Sequence, residues 1–184
     1  FHGWHDYVRS HEPGDGGIPN ETASTVISIS PNDIGLVERT LQAHSDIAAI
    51  IIEPTGAHMG DTPVRPSFLG ELREVTERYG VVLIFDEVVT GFRSSKGGAQ
   101  GLYGVTPDIC TMAKILGGGL PGGAVAGKAD IIDMIQLRDD VEFNKHGRIG
   151  HNGTFNANPL SAAAGHKALE LLKTQPINDH ANAA

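Results

Sequence analysis

The feature that most constrains the fold is an alternation of short apolar runs with segments of helical periodicity. Apolar or β-branched runs predict strands at 23–30, 47–54, 81–87, 107–114 and 122–127. The runs "IAAIIIEP" and "VVLIFDE" are apolar at nearly every position before their acidic ends. Such continuous runs are typical of strands that are buried on both faces in a parallel sheet.

Helical periodicity fills the intervals between these strands. It predicts a helix that opens at Pro31 and Asn32 and runs to about Ala43, and further helices over 67–80, 128–137 and 159–173. Ser67 is the predicted N-cap of the second helix and Gly80 its C-terminal stop. Residues 1–22, which are rich in Gly, Pro and His, predict a loop. The alternation indicates an α/β fold with a parallel or mostly parallel sheet flanked by helices.

Composition limits the classes of binding partner and the cellular compartment that we expect for this chain. The chain has 184 residues and a net charge of −8, with no run of Lys or Arg, so neither a nucleic-acid nor a membrane partner is expected. Cys110 is the single cysteine, which excludes a disulfide framework and suits the cytoplasm. No apolar run is long enough to span a bilayer. His2, His5 and Asp6 lack further ligands at zinc spacing, so no metal site is predicted.

Lys114 raises a question because it ends an apolar run and is followed by Gly117, Gly118 and Gly119. Three successive glycines indicate positive φ angles or a close approach to the main chain. A lysine that forms an imine must lose its charge, and a buried, glycine-lined slot would favour that. Asp86, 28 residues earlier, also ends a strand. A lysine and an aspartate at neighbouring strand ends are the minimum that pyridoxal phosphate requires, because a carboxylate keeps its ring nitrogen protonated.

Two other interpretations of these residues remain open at this point. Asp86 could cap a helix or form a structural ion pair. The stretch "GGAVAGKA" at 122–129 nearly matches the phosphate loop of nucleotide hydrolases, although Ala129 replaces the hydroxyl that would bind Mg²⁺.

Five motifs, in order, resemble the class III, fold-type I aminotransferases and, within them, the branch similar to glutamate-1-semialdehyde aminomutase. They are "FHGWHD" (1–6), "IIIEPTGAHMG" (50–60), "LIFDEVVTGFR" (83–93), the long glycine-rich stretch at 97–127 and "GTFNANPLSAAAG" (153–165). The resemblance covers nearly the whole chain. It implies that residues 1–184 form the central part of the large cofactor-binding domain. It also implies that an upstream phosphate-binding segment and a C-terminal small domain lie outside the chain.

The resemblance assigns roles around pyridoxal 5'-phosphate. Lys114 matches the lysine that forms the internal aldimine and then moves the proton between substrate and cofactor. Asp86 matches the carboxylate on the pyridine nitrogen. Val88 matches the apolar side chain on one face of the ring, and Phe1 matches the aromatic residue on the other.

Three further positions carry over from the same resemblance. Thr154 matches a residue that binds the cofactor phosphate of the neighbouring subunit, which implies a homodimer with shared sites. Glu53 matches a strand-end acid close to the cofactor. His58 lies where aminomutase-like relatives often carry Asn near the phenolic oxygen of the cofactor, and this departure leaves the substrate open.

The function that the resemblance implies is amino-group transfer between an amino acid or amine and a carbonyl compound. The alternative is the intramolecular transfer catalysed by glutamate-1-semialdehyde 2,1-aminomutase. A more remote alternative is a non-catalytic fragment or paralogue. The loop from about Trp4 to Thr25 corresponds in position to a segment that gates the active site in aminomutase relatives.

Overall fold

The structure, a computed structural model, describes residues 16–56 and 61–184, together with Asp6. The chain divides into two compact units, Phe1–Leu83 and Ile84–Ala184. The prediction that the whole chain belongs to one large domain stays a prediction.

Helices dominate the described part of the first unit. They are α1 (Asn20–Ala23), α2 (Ile34–Ala43) and α3 (Pro66–Tyr79). The side chain of Asp33 caps α2 by accepting a 2.8 Å hydrogen bond from the backbone N–H of Leu36. Gly80 ends α3 in the left-handed conformation, with φ 67°. The predicted C-terminal stop is therefore confirmed, for the reason that glycine adopts this conformation without steric cost.

The two longer helices pack against each other and form the core of the first unit. Their buried apolar side chains follow the helical period on the facing sides of both helices: Val37, Leu41, Phe68, Leu69, Leu72 and Val75. At the rim, Arg78 forms an ion pair with Glu38 and the hydroxyl of Tyr79 accepts a 3.0 Å hydrogen bond from Gln42.

The first unit also contains β1 (Ala49–Ile52), β2 (Thr62–Pro63) and the start of β3 (Val82–Asp86). The N–H of Val82 donates to the carbonyl of Ala48, which ties β3 to the residue before β1. The expectation that the 47–54 strand is buried on both faces is wrong for this chain, because β1 alternates between exposed and half-buried residues and Ile51 is 45% exposed.

Two local predictions for this unit are wrong. Residues 24–30 form no strand, because the Ser24 and Thr25 hydroxyls donate to carbonyls of α1 and so continue a local turn. Ser67 is not the N-cap of α3. The helix begins at Pro66, with Arg65 as N-cap, since proline is favoured at the first helical position.

Three strands build the sheet of the second unit in the order β3, β4 (Ile109–Met112), β5 (Ala124–Gly127). Strands β3 and β4 are parallel, and Asp86 lies opposite Thr111. Strand β5 is antiparallel to β4. The predicted α/β fold with a mostly parallel sheet and flanking helices is confirmed.

Four helices accompany these strands: α4 (Gly98–Tyr103), α5 (Ala129–Ile132), α6 (Pro159–Thr174) and α7 (Ile177–Ala183). The predicted 128–137 helix is shorter than expected, because α5 passes into a 3₁₀ turn at Asp133–Ile135. The side chain of Asn158 caps α6 by accepting hydrogen bonds from two backbone N–H groups. A 3₁₀ turn over Lys114–Gly117 and a π-helical turn over Phe143–Gly147 complete the described elements.

Candidate active site

The carboxyl ends of β3 and β4 form one edge of the sheet. Because the strands are parallel, Asp86 at the end of β3 and Met112 at the end of β4 reach the same edge. Lys114 follows Met112 by two residues. The structure therefore brings the two segments that carry the predicted aspartate and lysine to one edge, which is where α/β sheets bind ligands.

Asp86 is held by its neighbours and remains half-buried. Its Oδ1 accepts a 3.0 Å hydrogen bond from the N–H of Val88 and a 3.3 Å hydrogen bond from the Thr111 hydroxyl. The first of these contacts stabilises the turn that leaves the strand. Val88 is half-buried as well, as an apolar side chain against a ligand ring would require.

Lys114 begins the 3₁₀ turn in a left-handed backbone conformation, with φ 48°. Non-glycine residues rarely adopt this conformation, and such residues cluster at functional sites. The side chain is exposed. The expectation of a lysine buried in a tight slot is therefore wrong for the chain alone, since the glycines around it contribute no side chains that could cover it.

The glycines after Lys114 are explained by helix α6. A Cβ on Gly118, where φ is +60°, would lie 2.3 Å from the carbonyl oxygen of Ala164. A Cβ on Gly165 would lie 2.4 Å from the carbonyl oxygen of Leu116. Side chains at either position would push the helix away from the turn. Gly118 has both features predicted for the glycines, a positive φ angle and a close approach of another element to its main chain. The approaching element is α6, a helix of the same unit.

The structure describes only two of the four other residues that were predicted for the site. Glu53 follows β1 in the first unit. Thr154 is exposed in the turn that precedes α6. His58 and Phe1 lie outside the described residues, as does about half of the predicted gating loop. Their roles at a cofactor site stay predictions.

Glu87 is the residue of this edge to which the sequence reasoning assigned no role. It is 1% exposed and accepts hydrogen bonds from three residues, two of them at the start of α4. The signal was visible as a second acid directly after Asp86, since a carboxylate next to an apolar strand needs donors if it is buried.

The phosphate-loop interpretation of 122–129 is wrong. Residues Ala124–Gly127 form strand β5, so Gly122 and Gly123 precede a strand, Gly127 ends it, and none of them belongs to a phosphate loop. The ammonium of Lys128 lies 2.6 Å from the carboxylate of Asp108, which is 4% exposed. The lysine that a phosphate loop would need is therefore part of an ion pair at the opposite end of β4.

Cys110 lies inside β4 and is 5% exposed. Burial and, to a lesser degree, the nearby carboxylate of Glu87 raise the pKa of its thiol to about 12. The thiol is therefore protonated at neutral pH and is a poor nucleophile.

Neither a metal site nor a membrane-spanning helix is found among the residues that the structure describes. Among them, no three His, Cys, Asp or Glu side chains are grouped as a metal site would require. The helices within 16–56 and 61–184 also include none that is long and apolar enough to cross a membrane.

The fold is that of the transaminases. An omega-transaminase from Sphaerobacter thermophilus superposes with a TM-score of 0.79 at 38% identity, over 96% of this chain and 42% of its own. A transaminase with PLP bound superposes with a TM-score of 0.74 at 32% identity, over 88% of this chain and 36% of its own.

Sequence comparison then gives the family. Residues 25–184 match the family described as Aminotransferase class-III, and the chain belongs to that family. Glutamate-1-semialdehyde 2,1-aminomutase of Desulfotalea psychrophila is 46% identical over 92% of this chain and 38% of its own length. The same enzyme of Sulfolobus acidocaldarius is 43% identical over 100% of this chain and 44% of its own. The chain thus spans about two fifths of the length of these relatives.

Proposed function

We propose that this chain is the part of a pyridoxal-phosphate-dependent aminotransferase that carries the reactive lysine. The observation that carries the proposal is that Asp86 and the segment of Lys114 share one edge of two paired parallel strands. Membership of the class III family and the likeness to a transaminase with PLP bound support it.

The residues at this edge fit the chemistry of the cofactor. Lys114 offers an exposed primary amine, which a bound aldehyde can reach. Asp86 is half-buried and already accepts hydrogen bonds through Oδ1, so it is oriented to accept another from a protonated ring nitrogen. Val88 offers an apolar contact for a ring. When bound, the cofactor supplies an electron sink for the substrate carbanion.

In this proposal the three residues at the sheet edge have different tasks. Lys114 would hold the cofactor through its side-chain amine, and the same amine, once free, would carry the proton that the transfer requires. Asp86 keeps the ring nitrogen protonated. Val88 limits the movement of the ring and helps to exclude water on one face. Glu53, His58 and Phe1 are proposed to have the cofactor-binding roles that the family resemblance implies for them.

The substrate divides the proposal in two. The relatives named above at 43–46% identity are aminomutases, which favours intramolecular transfer within glutamate 1-semialdehyde. Incubation with glutamate 1-semialdehyde alone should give the isomer if the protein is a mutase. Product that forms only when a separate amine donor and a keto acceptor are both supplied would make it a transferase.

Reductive trapping tests the cofactor and the lysine together. The chain is mixed with pyridoxal phosphate and reduced with borohydride, and its peptides are mapped. The same procedure is applied to a chimera in which the chain replaces the matching segment of the Desulfotalea psychrophila aminomutase. We expect the label on Lys114, lost in Lys114→Ala and kept in Lys145→Ala, a change at another exposed lysine of the same unit. A chimera that stays unlabelled, or a label scattered over surface lysines, would overturn the proposal.

We also infer a homodimer with shared sites, located in the cytoplasm. Phe155 next to Thr154 is 80% exposed, and Leu160 at the start of α6 is 70% exposed, which supports a second protein surface there. Mixing Lys114→Ala and Thr154→Ala subunits of the chimera tests the sharing. Only mixed dimers contain one intact site, so activity should return to about a quarter of the wild-type value. No recovery would contradict shared sites.

A further inference from the structure

We propose that Glu87 is a positioning residue that fixes the segment bearing Asp86 and Val88. The inference rests on the proposed function, because the placement of these two residues matters only if this edge binds the cofactor. Glu87 lies between them in the chain, yet it is 1% exposed whereas both of them are half-buried. Its side chain therefore belongs to the protein interior and not to the ligand.

The carboxylate of Glu87 accepts four hydrogen bonds. Its Oε2 accepts from the Thr90 hydroxyl at 3.0 Å and from the N–H of Ala99 at 2.5 Å. Its Oε1 accepts from the N–H of Gln100 at 3.2 Å and from the Gln100 side-chain amide at 3.1 Å. Two of the donors are main-chain N–H groups in the first turn of α4, so the strand end and the helix start are joined through one side chain.

The backbone of Glu87 is tied to the neighbouring strand as well. Its N–H donates to the carbonyl of Thr111 at 2.9 Å, while the Thr111 hydroxyl donates to Asp86. The segment is thus held from β4 on one side and from α4 on the other. Because Asp86 and Val88 flank this anchor, they move if it moves.

Two glycines leave the room that this anchor needs. A Cβ on Gly98, where φ is +67°, would lie 2.3 Å from Oε2 of Glu87. A Cβ on Gly91 would lie 2.6 Å from the carbonyl oxygen of Glu87. The chain therefore folds closely around both the side chain and the main chain of this residue.

Substitution by glutamine breaks the anchor at nearly constant volume. Thr90 and the Gln100 side chain can turn to accept a hydrogen bond, but the N–H groups of Ala99 and Gln100 cannot. One of these N–H groups faces each carboxylate oxygen. In either orientation of the new amide, its NH₂ group therefore opposes a main-chain donor. We expect the start of α4 to separate from the strand end and Asp86 to lose its fixed position.

A matched variant separates positioning from general stability. Asp108 is also buried, at 4% exposed, but it pairs with Lys128 at the opposite end of β4. We expect Glu87→Gln and Asp108→Asn each to lower the unfolding midpoint of the cofactor-free protein. Only Glu87→Gln should raise the equilibrium dissociation constant for pyridoxal phosphate, by about tenfold, because small misplacements at a reacting centre are costly.

The measurement is a titration of the chimera with pyridoxal phosphate, followed by absorbance, with hydrogen exchange of the Ala99 and Gln100 amides as a second readout. A dissociation constant for Glu87→Gln within twofold of the wild type, or an equal weakening in Asp108→Asn, would overturn the inference. If Glu87→Gln does not fold, Thr90→Val removes one of the four donors and should weaken binding about threefold. Wild-type chimera that shows no label on Lys114 would instead contradict the proposed function.

Discussion

Replacement of Gly165 by alanine places local and tertiary preferences in direct opposition. Gly165 lies within helix α6, where alanine is favoured over glycine by about 1 kcal/mol. Its new Cβ would lie 2.4 Å from the carbonyl oxygen of Leu116, whereas real Cβ atoms essentially never come closer than 3.0 Å. A backbone carbonyl cannot turn aside as a flexible side chain can, so the helix or the turn must shift.

The size of the effect follows from the same contact. A shift of roughly 0.6 Å in a packed interior costs on the order of 2–3 kcal/mol, which exceeds the gain in helix propensity. We expect a net loss of about 1–2 kcal/mol in the free energy of unfolding. Gly70→Ala is the control, since Gly70 lies within α3 with no atom near its added Cβ. It should gain about 0.5–1 kcal/mol.

Urea unfolding followed by far-ultraviolet circular dichroism measures both variants against the wild type. The reductive labelling of Lys114 gives a second readout, because Leu116 belongs to the 3₁₀ turn that Lys114 begins. Gly165→Ala should slow the labelling, and Gly70→Ala should leave it unchanged. A Gly165→Ala protein as stable as the wild type would refute the packing argument.

Three further predictions concern other parts of the second unit. Asn158→Ala removes the cap of α6 and should cost about 1 kcal/mol, measured by urea unfolding; an unchanged midpoint would mean that solvent satisfies these N–H groups equally well. The folded state raises the pKa of the Cys110 thiol from 9.0 to about 12. The contribution of the protonated thiol to the free energy of unfolding is therefore complete below pH 9 and is lost as the pH rises toward 12. Relative to Cys110→Ala, the wild type should lose up to about 1.4 kcal/mol per pH unit in that window, and parallel pH profiles of the two proteins would contradict this. Lys128→Met leaves the carboxylate of Asp108 without its ammonium partner and should lower the free energy of unfolding by about 1–3 kcal/mol. An unchanged free energy of unfolding would mean that solvent replaces the ammonium.

Much of the fold was predictable from periodicity. The apolar patterns correctly placed two strands and three helices, namely β3, β4, α2, α3 and α6. They did so because the apolar residues that form the pattern in the sequence are the ones that face the interior in the structure. The strand predicted at 23–30 failed because β-branched residues do not by themselves provide a partner strand. There, local hydrogen bonds from Ser24 and Thr25 prevailed.

The residues of the candidate site were predictable from the sequence, and Asp86 and Lys114 were expected at neighbouring strand ends. Asp86 and Lys114 stood out as polar residues at the ends of apolar runs. The register that pairs β3 with β4 depends on hydrogen bonds between residues far apart in the chain, so only the structure shows which residues lie opposite each other. The role of Glu87 was missed for the same reason, because its donors on α4 lie twelve and thirteen residues away.

By itself, the sequence determined where β3, β4 and the longer helices form, which turns need glycine, and which side chains are candidates for chemistry. These properties depend on the volume, polarity and backbone freedom of single residues and their near neighbours. Only the tertiary structure decided that helix α6 packs on Gly118, that β5 runs antiparallel and that Glu87 joins a strand to a helix. These features depend on contacts between distant segments, whose free energy is gained only when the chain packs.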